Sequence, residues 1–454
     1  MESAMKIIKR IKKIDRNILI LCAIFVIITP LFLTPWIHGN DGAGYYSYLH
    51  SVLIDNDIDF KNEREHFNQT QFIRSIDIDP NTERHFIQYP IGTALLWSPY
   101  FVFGHTIAFI TGMPMDGYSM PYVYMVCLGS AINAFIGIIL IYLMLKKYFD
   151  KKIAMLSLLT IWLASPLFYY MYLEGSLSHA NSFFIFTLFV YFWHETINKR
   201  TTKQWAILGF LAGLAFLVRY QNAIILVLPL LEVVKRYNKS LKIKDVKSII
   251  NELKNNLISA LSFFIIILPQ LILLKIKHGS FIVNYSGEFH LNLISQQVID
   301  VIFSSQHGLF NWTPVLFLGL IGLFIMYRKN KIMISSFVII FLLNLFIVSG
   351  WSIWYAGQSF GHRMFVDMTI IFVFGFAALI DKLSKKIKLV YISIFCLALV
   401  LWNFGLMIQY GSGMVDPAGA VSFKERLSNN FIEVPKKFLS ILQKFIFNRG
   451  SFLG

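Results

Sequence analysis

The stretch at residues 36–60, WIHGNDGAGYYSYLHSVLIDNDIDF, follows directly on the first long apolar segment of the chain, residues 17–36. It therefore sits at a membrane surface. Asp41 is the first carboxylate past that segment, followed by Gly42, Gly44 and the pair Tyr45 and Tyr46. An acid on a glycine-loosened turn beside aromatics can take a proton from a hydroxyl. It can equally cap a helix that starts near Gly44. Both readings stand on this stretch alone.

Of the 454 residues, 56% are hydrophobic and 15% are charged, with 43 Phe and 21 Tyr. So few charges cannot cover a soluble surface, and the composition is that of an all-α polytopic membrane protein. A net charge of +16 in a soluble chain would suggest nucleic acid. Here the Lys and Arg lie in short blocks between apolar runs, as in cytoplasmic loops, and no nucleic-acid partner is expected. Cys22, Cys127 and Cys396 all fall in apolar segments and outline neither a disulfide framework nor a metal knuckle. The basic run MKIIKRIKKIDR followed by residues 17–36 reads as an uncleaved signal anchor with the N-terminus inside.

Charge decides the expected topology. Lys and Arg cluster at 6–16, 146–152, 199–203, 235–254, 328–331 and 382–388. If all six blocks are cytoplasmic, an even number of crossings separates each from the next. Three apolar segments precede Lys146, namely 17–36, 92–111 and 121–145, so one must not cross. Segment 92–111 carries Trp97, Ser98, Pro99 and His105 and is the weakest. It is assigned to the outer leaflet as an interfacial helix. The result is about eleven spans, with 37–120 as a first outer loop bearing juxtamembrane helices. The short segments 205–218 and 220–234 meet at Arg219 and read as a broken hairpin lining a cavity. Residues 1–410 form one transmembrane domain. Residues 411–454 are a short outer tail whose VPKKFLSILQKFIF is basic and amphipathic.

The unusual polar residues at membrane depth all fall on the expected outer side. Glu174 and His179 lie in EGSLSHANSF, and Arg219 and Gln221 in LVRYQN. His307 lies in SSQHGLFNWTP, while Trp354, Gln358, His362, Arg363 and Asp367 lie in GWSIWYAGQSFGHRMFVD. An Arg in the membrane costs roughly 2.5–3.5 kcal/mol on insertion scales and commonly marks a functional cavity. Each residue also has a plainer reading. Arg363 can lock Asp367 one helical turn on, and Arg219 can snorkel to the interface. Glu174 and His179 can cap helices, and the Trp and Tyr residues can anchor the interface. No plain reading accounts for all of them converging on one face.

With those motifs in hand, the chain resembles a GT-C fold glycosyltransferase of the protein O-mannosyltransferase and aminoarabinose (lipid A) transferase superfamily. The resemblance rests on Asp41 with its Tyr pair, the Tyr89-Pro90 helix opening, the Arg219 hairpin, HGLFNWTP and the GQSFGHR turn, over most of residues 17–410. It implies a polyprenyl-phosphate sugar donor, an outward-facing cavity, juxtamembrane helices in the first loop, and a first-loop acid acting as base on the acceptor hydroxyl. Two departures stand out. Many relatives carry Asp-Glu where this chain has Asp41-Gly42, and Glu63 and Glu65 lie too far along to substitute. The tail also carries no large soluble domain.

The reading is an inverting membrane glycosyltransferase with Asp41 as the catalytic base. Arg219, Arg363 and His362 hold the donor phosphate, since guanidinium matches phosphate bidentately. Tyr45, Tyr46, Glu174, His179, Gln221, His307, Trp354 and Gln358 line the cavity. The acceptor is a glycan, a lipid or a protein, and membrane lipid is a further partner. No cofactor is required by the motifs. A divalent metal is left open, with Glu174 and His179 its candidate ligands. The expected location is a prokaryotic cytoplasmic membrane with the active site on the outer face. The rivals are a flippase or transporter of lipid-linked glycans, against which the lack of an inverted repeat argues, and a glycan polymerase or ligase.

Overall fold

The structure is a computed structural model that describes residues 15–71, 73–197, 200–242, 245–281, 292 and 296–447. Most of the N-terminal basic block lies outside the described residues, while the apolar anchor segment 17–36 lies within them. The principal helices are α1 (Arg16–Phe32), α2 (Gly39–His50), α3 (Lys61–Asn68), α4 (Gly92–Thr111), α5 (Met120–Leu145) and α6 (Lys151–Leu163). Next come α7 (Pro166–Tyr172), α8 (His179–Thr196), α9 (Thr202–Val218), α10 (Val227–Lys242) and α11 (Val246–His278). Then follow α12 (Pro314–Met326), α13 (Lys331–Ser349), α14 (Thr369–Leu383), α15 (Leu389–Gly411) and, in the tail, α16 (Phe438–Phe447).

Local chemistry sets several of the ends. Asp15 accepts from the Asn17 amide at the start of α1, and Asp245 accepts from the Ser248 amide before α11. Thr201 and Gln204 form a reciprocal capping box at α9. One departure from an all-α chain is a small antiparallel hairpin in the first loop, β1 (Ile76–Ile78) against β2 (His85–Ile87). Its IDI segment alternates β-branched residues with an acid, HFI adds Phe86 and Ile87, and Asp79 accepts the Asn81 and Thr82 amides in the turn.

Among the described residues, six helices are long and apolar enough to cross a membrane, or seven if the pair α6 and α7, bent by 66°, counts as one span. The expectation of about eleven full-length helices is therefore not met by length alone. Helices α1, α9 and α12 are apolar but shorter, and α8 and α10 also fall outside the six, while α4 is among them. At Arg219, α9 stops and a 3₁₀ turn covers Tyr220–Leu226 before α10. Helices α12 and α14 touch backbone to backbone. A Cβ on Gly322 would lie 1.8 Å from the Gly375 carbonyl oxygen, so small residues are required there. Large apolar side chains along α11 and α15 are exposed, as on a lipid-facing surface.

The basic blocks gather at one end of the bundle. Asp15 reaches Lys146 at 3.5 Å and Lys151 at 3.1 Å, and Lys147 pairs with Glu195. Lys329 bonds the Tyr148 carbonyl and Asp381, and Glu232 on α10 joins Arg200 and Arg236. A cavity of about 370 Å³ lies at this end, lined in part by Lys147, His194 and Asn330. Helix α5 runs from here for ~39 Å at 1.5 Å per residue, reaching the first loop at its other end.

Helix α4 is itself long and apolar enough to cross. Its hydrogen-bond partners on α5 lie between Tyr122 and Asn133. Trp97 donates to Ser130, Tyr100 to Asn133, and His105 meets Tyr122. At its start, Gly92 packs against Leu217 and Val218 at the end of α9.

Candidate active site

Helix α2 begins at Gly39, with His38 before it, so Asp41 sits inside its first turn rather than at the cap. Its carboxylate takes no capping bond. Oδ1 accepts from the Tyr89 hydroxyl at 2.6 Å, and Oδ2 accepts from Arg363 Nη1 at 3.2 Å. The partners lie 48 and 322 residues away along the chain. The helix dipole of α2 adds to the stabilisation of the anion.

Arg219 lies at the break after α9. Its Nη1 donates to His179 Nδ1 at the start of α8, Nη2 donates to Gln221 Oε1 at 2.9 Å, and Nε lies 3.9 Å from Asp367 Oδ2. Gln221 also reaches Asp367, at 3.4 Å. The alternative lock between Arg363 and Asp367 is thus not formed. Asp367 faces Arg219, and Arg363 crosses to Asp41, because residues 363–368 form a 3₁₀ rather than an α-helical turn.

Tyr45 ties the two cations together. Its ring lies 4.9 Å from that of Tyr89. Burial first, and then Asp41, push its pKa up to about 12, while Arg219 and Arg363 pull the other way. Glu174, 7% exposed, accepts from the Tyr169 hydroxyl at 3.2 Å and lies 4.0 Å from His38. Burial raises its carboxyl to about 7, with Arg363 opposing and Asp41 adding to the rise. Asp41, Tyr45, Glu174, His179, Arg219, Gln221 and Arg363 therefore share one site.

Other expected residues lie elsewhere. Tyr46 points to the opposite face of α2, where its hydroxyl donates to the Gly117 carbonyl and its ring packs on Phe67 and Phe101. It is a core residue of the first loop. His307 bonds the Tyr355 carbonyl at 2.9 Å, and its charge field acts on His362. Burial, followed by His307, pushes the His362 pKa down to about 3, so a neutral imidazole there supplies an N–H and no charge. Trp354 is half-buried against Tyr355, and Gln358 is exposed. Glu174 and His179 belong to no group of three potential metal ligands among the described residues, and His179 Nδ1 receives a guanidinium proton. Among the described residues the group with metal-ligand spacing is His50, Asp55 and Glu63.

Tyr89 as the partner of Asp41 and Asp367 as that of Arg219 were missed. Sequence signals existed in the Tyr-Pro helix opening and in an acid at membrane depth, but not in their pairing.

Residues 122–272 match the family described as dolichyl-phosphate-mannose-protein mannosyltransferase. That segment carries Glu174, His179, Arg219 and Gln221 and lies between Asp41 and Arg363. No curated protein sequence matches significantly. Among solved structures, apo ArnT from Cupriavidus metallidurans aligns with a TM-score of 0.52 at 12% identity, covering 96% of this chain and 73% of that one. The apo oligosaccharyltransferase of Archaeoglobus fulgidus aligns at 0.50 and 12% identity, covering 96% of this chain and 56% of that one. ArnT bound to undecaprenyl phosphate aligns at 0.46, too low to add to the comparison. At this identity the likeness is one of fold. The chain is an integral membrane protein with the GT-C fold.

Proposed function

We propose that this GT-C membrane protein is an inverting glycosyltransferase that moves a sugar from a polyprenyl-phosphate donor to an acceptor hydroxyl. The observation that carries the reading is the ion pair of Asp41 with Arg363, an acid from the first loop set against a cation from the late turn. Tyr89 holds the second oxygen of the acid. In the reaction Asp41 takes the proton of the acceptor hydroxyl as its oxygen attacks the anomeric carbon from the face opposite the phosphate. Arg363 exchanges Asp41 for the departing phosphate, and Arg219 adds its fork from the other side. His362 contributes a neutral donor. The match to a mannosyltransferase family that acts on dolichyl-phosphate-mannose supports the donor class.

The chain is read as one transmembrane unit over 1–410 with a short tail. The basic end lies in the cytoplasm of a prokaryotic cell, and the site lies on the outer face. Single cysteines at Asn62 and Met115, both exposed, should then react with an impermeant outer-face reagent. Protection of Met115→Cys until the membrane is permeabilised would overturn that placement of α4.

Asp41→Asn tests the chemistry. It keeps shape and loses the proton acceptor, so sugar transfer should fall by about 10²–10⁴-fold while thermal unfolding stays near wild type. Transfer within about tenfold of wild type would move the base to Glu174, whose carboxyl burial raises to about 7.

A further inference from the structure

His50 ends α2, Asp55 lies in the π-helical turn Ser51–Asp55 that follows, and Glu63 is on α3. His50 Nδ1 is 2.9 Å from Glu63 Oε1 and 3.0 Å from Asp55 Oδ2. The three ligand atoms all lie within 4.8 Å of one another. On the far side of the ring, Nε2 is 3.0 Å from the Asp116 carbonyl oxygen, and Tyr118 stacks at 4.1 Å.

A carbonyl oxygen only accepts, so Nε2 carries a hydrogen. The Nδ1 lone pair of the neutral ring would then point at two carboxylates, and that arrangement is repulsive unless a cation lies between them. A proton would serve in part. It makes an imidazolium of charge +1 against two carboxylates, leaving a net −1. Glu63 is 0% exposed and its second oxygen, Oε2, has no hydrogen-bond partner among the described residues. A divalent cation bound to neutral His50, Asp55 and Glu63 brings the cluster to zero net charge and gives the buried carboxylate its missing partner. The hydrogen bond from Nε2–H to a backbone carbonyl is the usual second support of a metal-bound histidine, fixing the tautomer.

We propose that His50, Asp55 and Glu63 form a divalent-cation site in the first loop, separate from Asp41 and its cations. One imidazole nitrogen with two carboxylates suits a transition ion of the Zn²⁺ type better than Mg²⁺ or Ca²⁺, which take oxygen ligands. Asp55 is partly exposed, its side chain 28% accessible, so the ion can enter there and keep water as a further ligand. The site clamps the end of α2 to α3. Through α2, nine residues back, it steadies the turn that holds Asp41.

The test uses the full-length, tag-free protein in detergent, stripped with EDTA and titrated with ZnCl₂. The wild type should bind one equivalent of Zn²⁺ more than His50→Gln does, and its unfolding midpoint should rise with Zn²⁺ and fall again with EDTA. Glu63→Gln and Asp55→Asn should lose both responses. Asp55 is the most exposed ligand, so Asp55→Asn keeps the test readable if the buried variants fail to fold. Zn²⁺ uptake that is equal in wild type and Asp55→Asn, or a midpoint in wild type that ignores both Zn²⁺ and EDTA, would overturn the site and leave His50 as a proton-held staple. Because the readouts are binding and unfolding, they stand whatever Asp41→Asn does to transfer.

Discussion

Arg200 and Arg363 sit at opposite ends of one membrane bundle, and they are satisfied to very different degrees. Arg200 is enclosed at the basic end. Its Nη1 donates to both oxygens of Glu232 at 3.2 and 3.0 Å, Nε donates to Thr196, Nη2 to the Trp193 carbonyl, and its plane covers Trp205 at 4.4 Å. Arg363 has one hydrogen bond among the described residues, to Asp41, and its Nε is buried without a partner. Across the same site Asp367 Oδ1 and both nitrogens of His362 also lack a hydrogen-bond partner of good geometry among the described residues. A guanidinium whose donors are all used is a lock. One with donors to spare is arranged for an anion that arrives later, since buried polar groups without partners cost about 1–3 kcal/mol each.

The contrast gives graded expectations. Glu232→Gln breaks a buried pair and should destabilise the protein by about 3–5 kcal/mol, while transfer per folded molecule is unchanged. Thermal unfolding beside specific activity checks this, and a loss of activity without loss of stability would erase the distinction between the two ends.

Glu174 should give the next largest effect, and its sign follows from its raised pKa. A carboxyl raised in the fold adds stability that is fully present below its unfolded value of about 4.5 and is lost as pH climbs through about 7. That loss is on the order of 3 kcal/mol. Glu174→Gln should flatten the decline in unfolding midpoint between pH 4.5 and 7, and an unchanged slope would place its source elsewhere.

The smallest effect is expected from Arg219→Lys and Arg363→Lys. Each keeps the charge that faces Asp367 or Asp41 and loses the planar fork. Donor use should drop by about 10- to 150-fold, the worth of one charge-assisted hydrogen bond, with stability nearly constant. Wild-type donor use in both variants would remove the arginines from phosphate binding.

Much of this was legible before the structure. Hydropathy and the basic blocks carried the membrane class, and the break at Arg219 appeared where polar residues interrupt two short apolar runs. The site was legible as a set of residues on one side. Its pairings were not, because spacing along a chain says nothing about contacts between Asp41 and Arg363 that only tertiary packing brings to 3.2 Å. The plainer alternative, an Arg363–Asp367 lock, does not form, since an i,i+4 pair presumes an α-helical turn. Tyr45 and Tyr46 show the same limit. They are adjacent, so a helix must send them to different faces, and the loop core took Tyr46.

Gly92 opens α4 with its Cα against the last turn of α9. A Cβ there would lie 2.3 Å from the Leu217 carbonyl carbon and 2.4 Å from the Val218 nitrogen, one residue before Arg219. Beside it the Ile91 amide donates to Gln270 of α11 at 2.9 Å. The first loop is consequently not an interchangeable module. A chimaera that grafts another chain's 37–120 onto this membrane body keeps the loop seated only if the graft brings a residue without a side chain to this position. Any other residue wedges the loop away from the body and carries Asp41 and Arg219 apart.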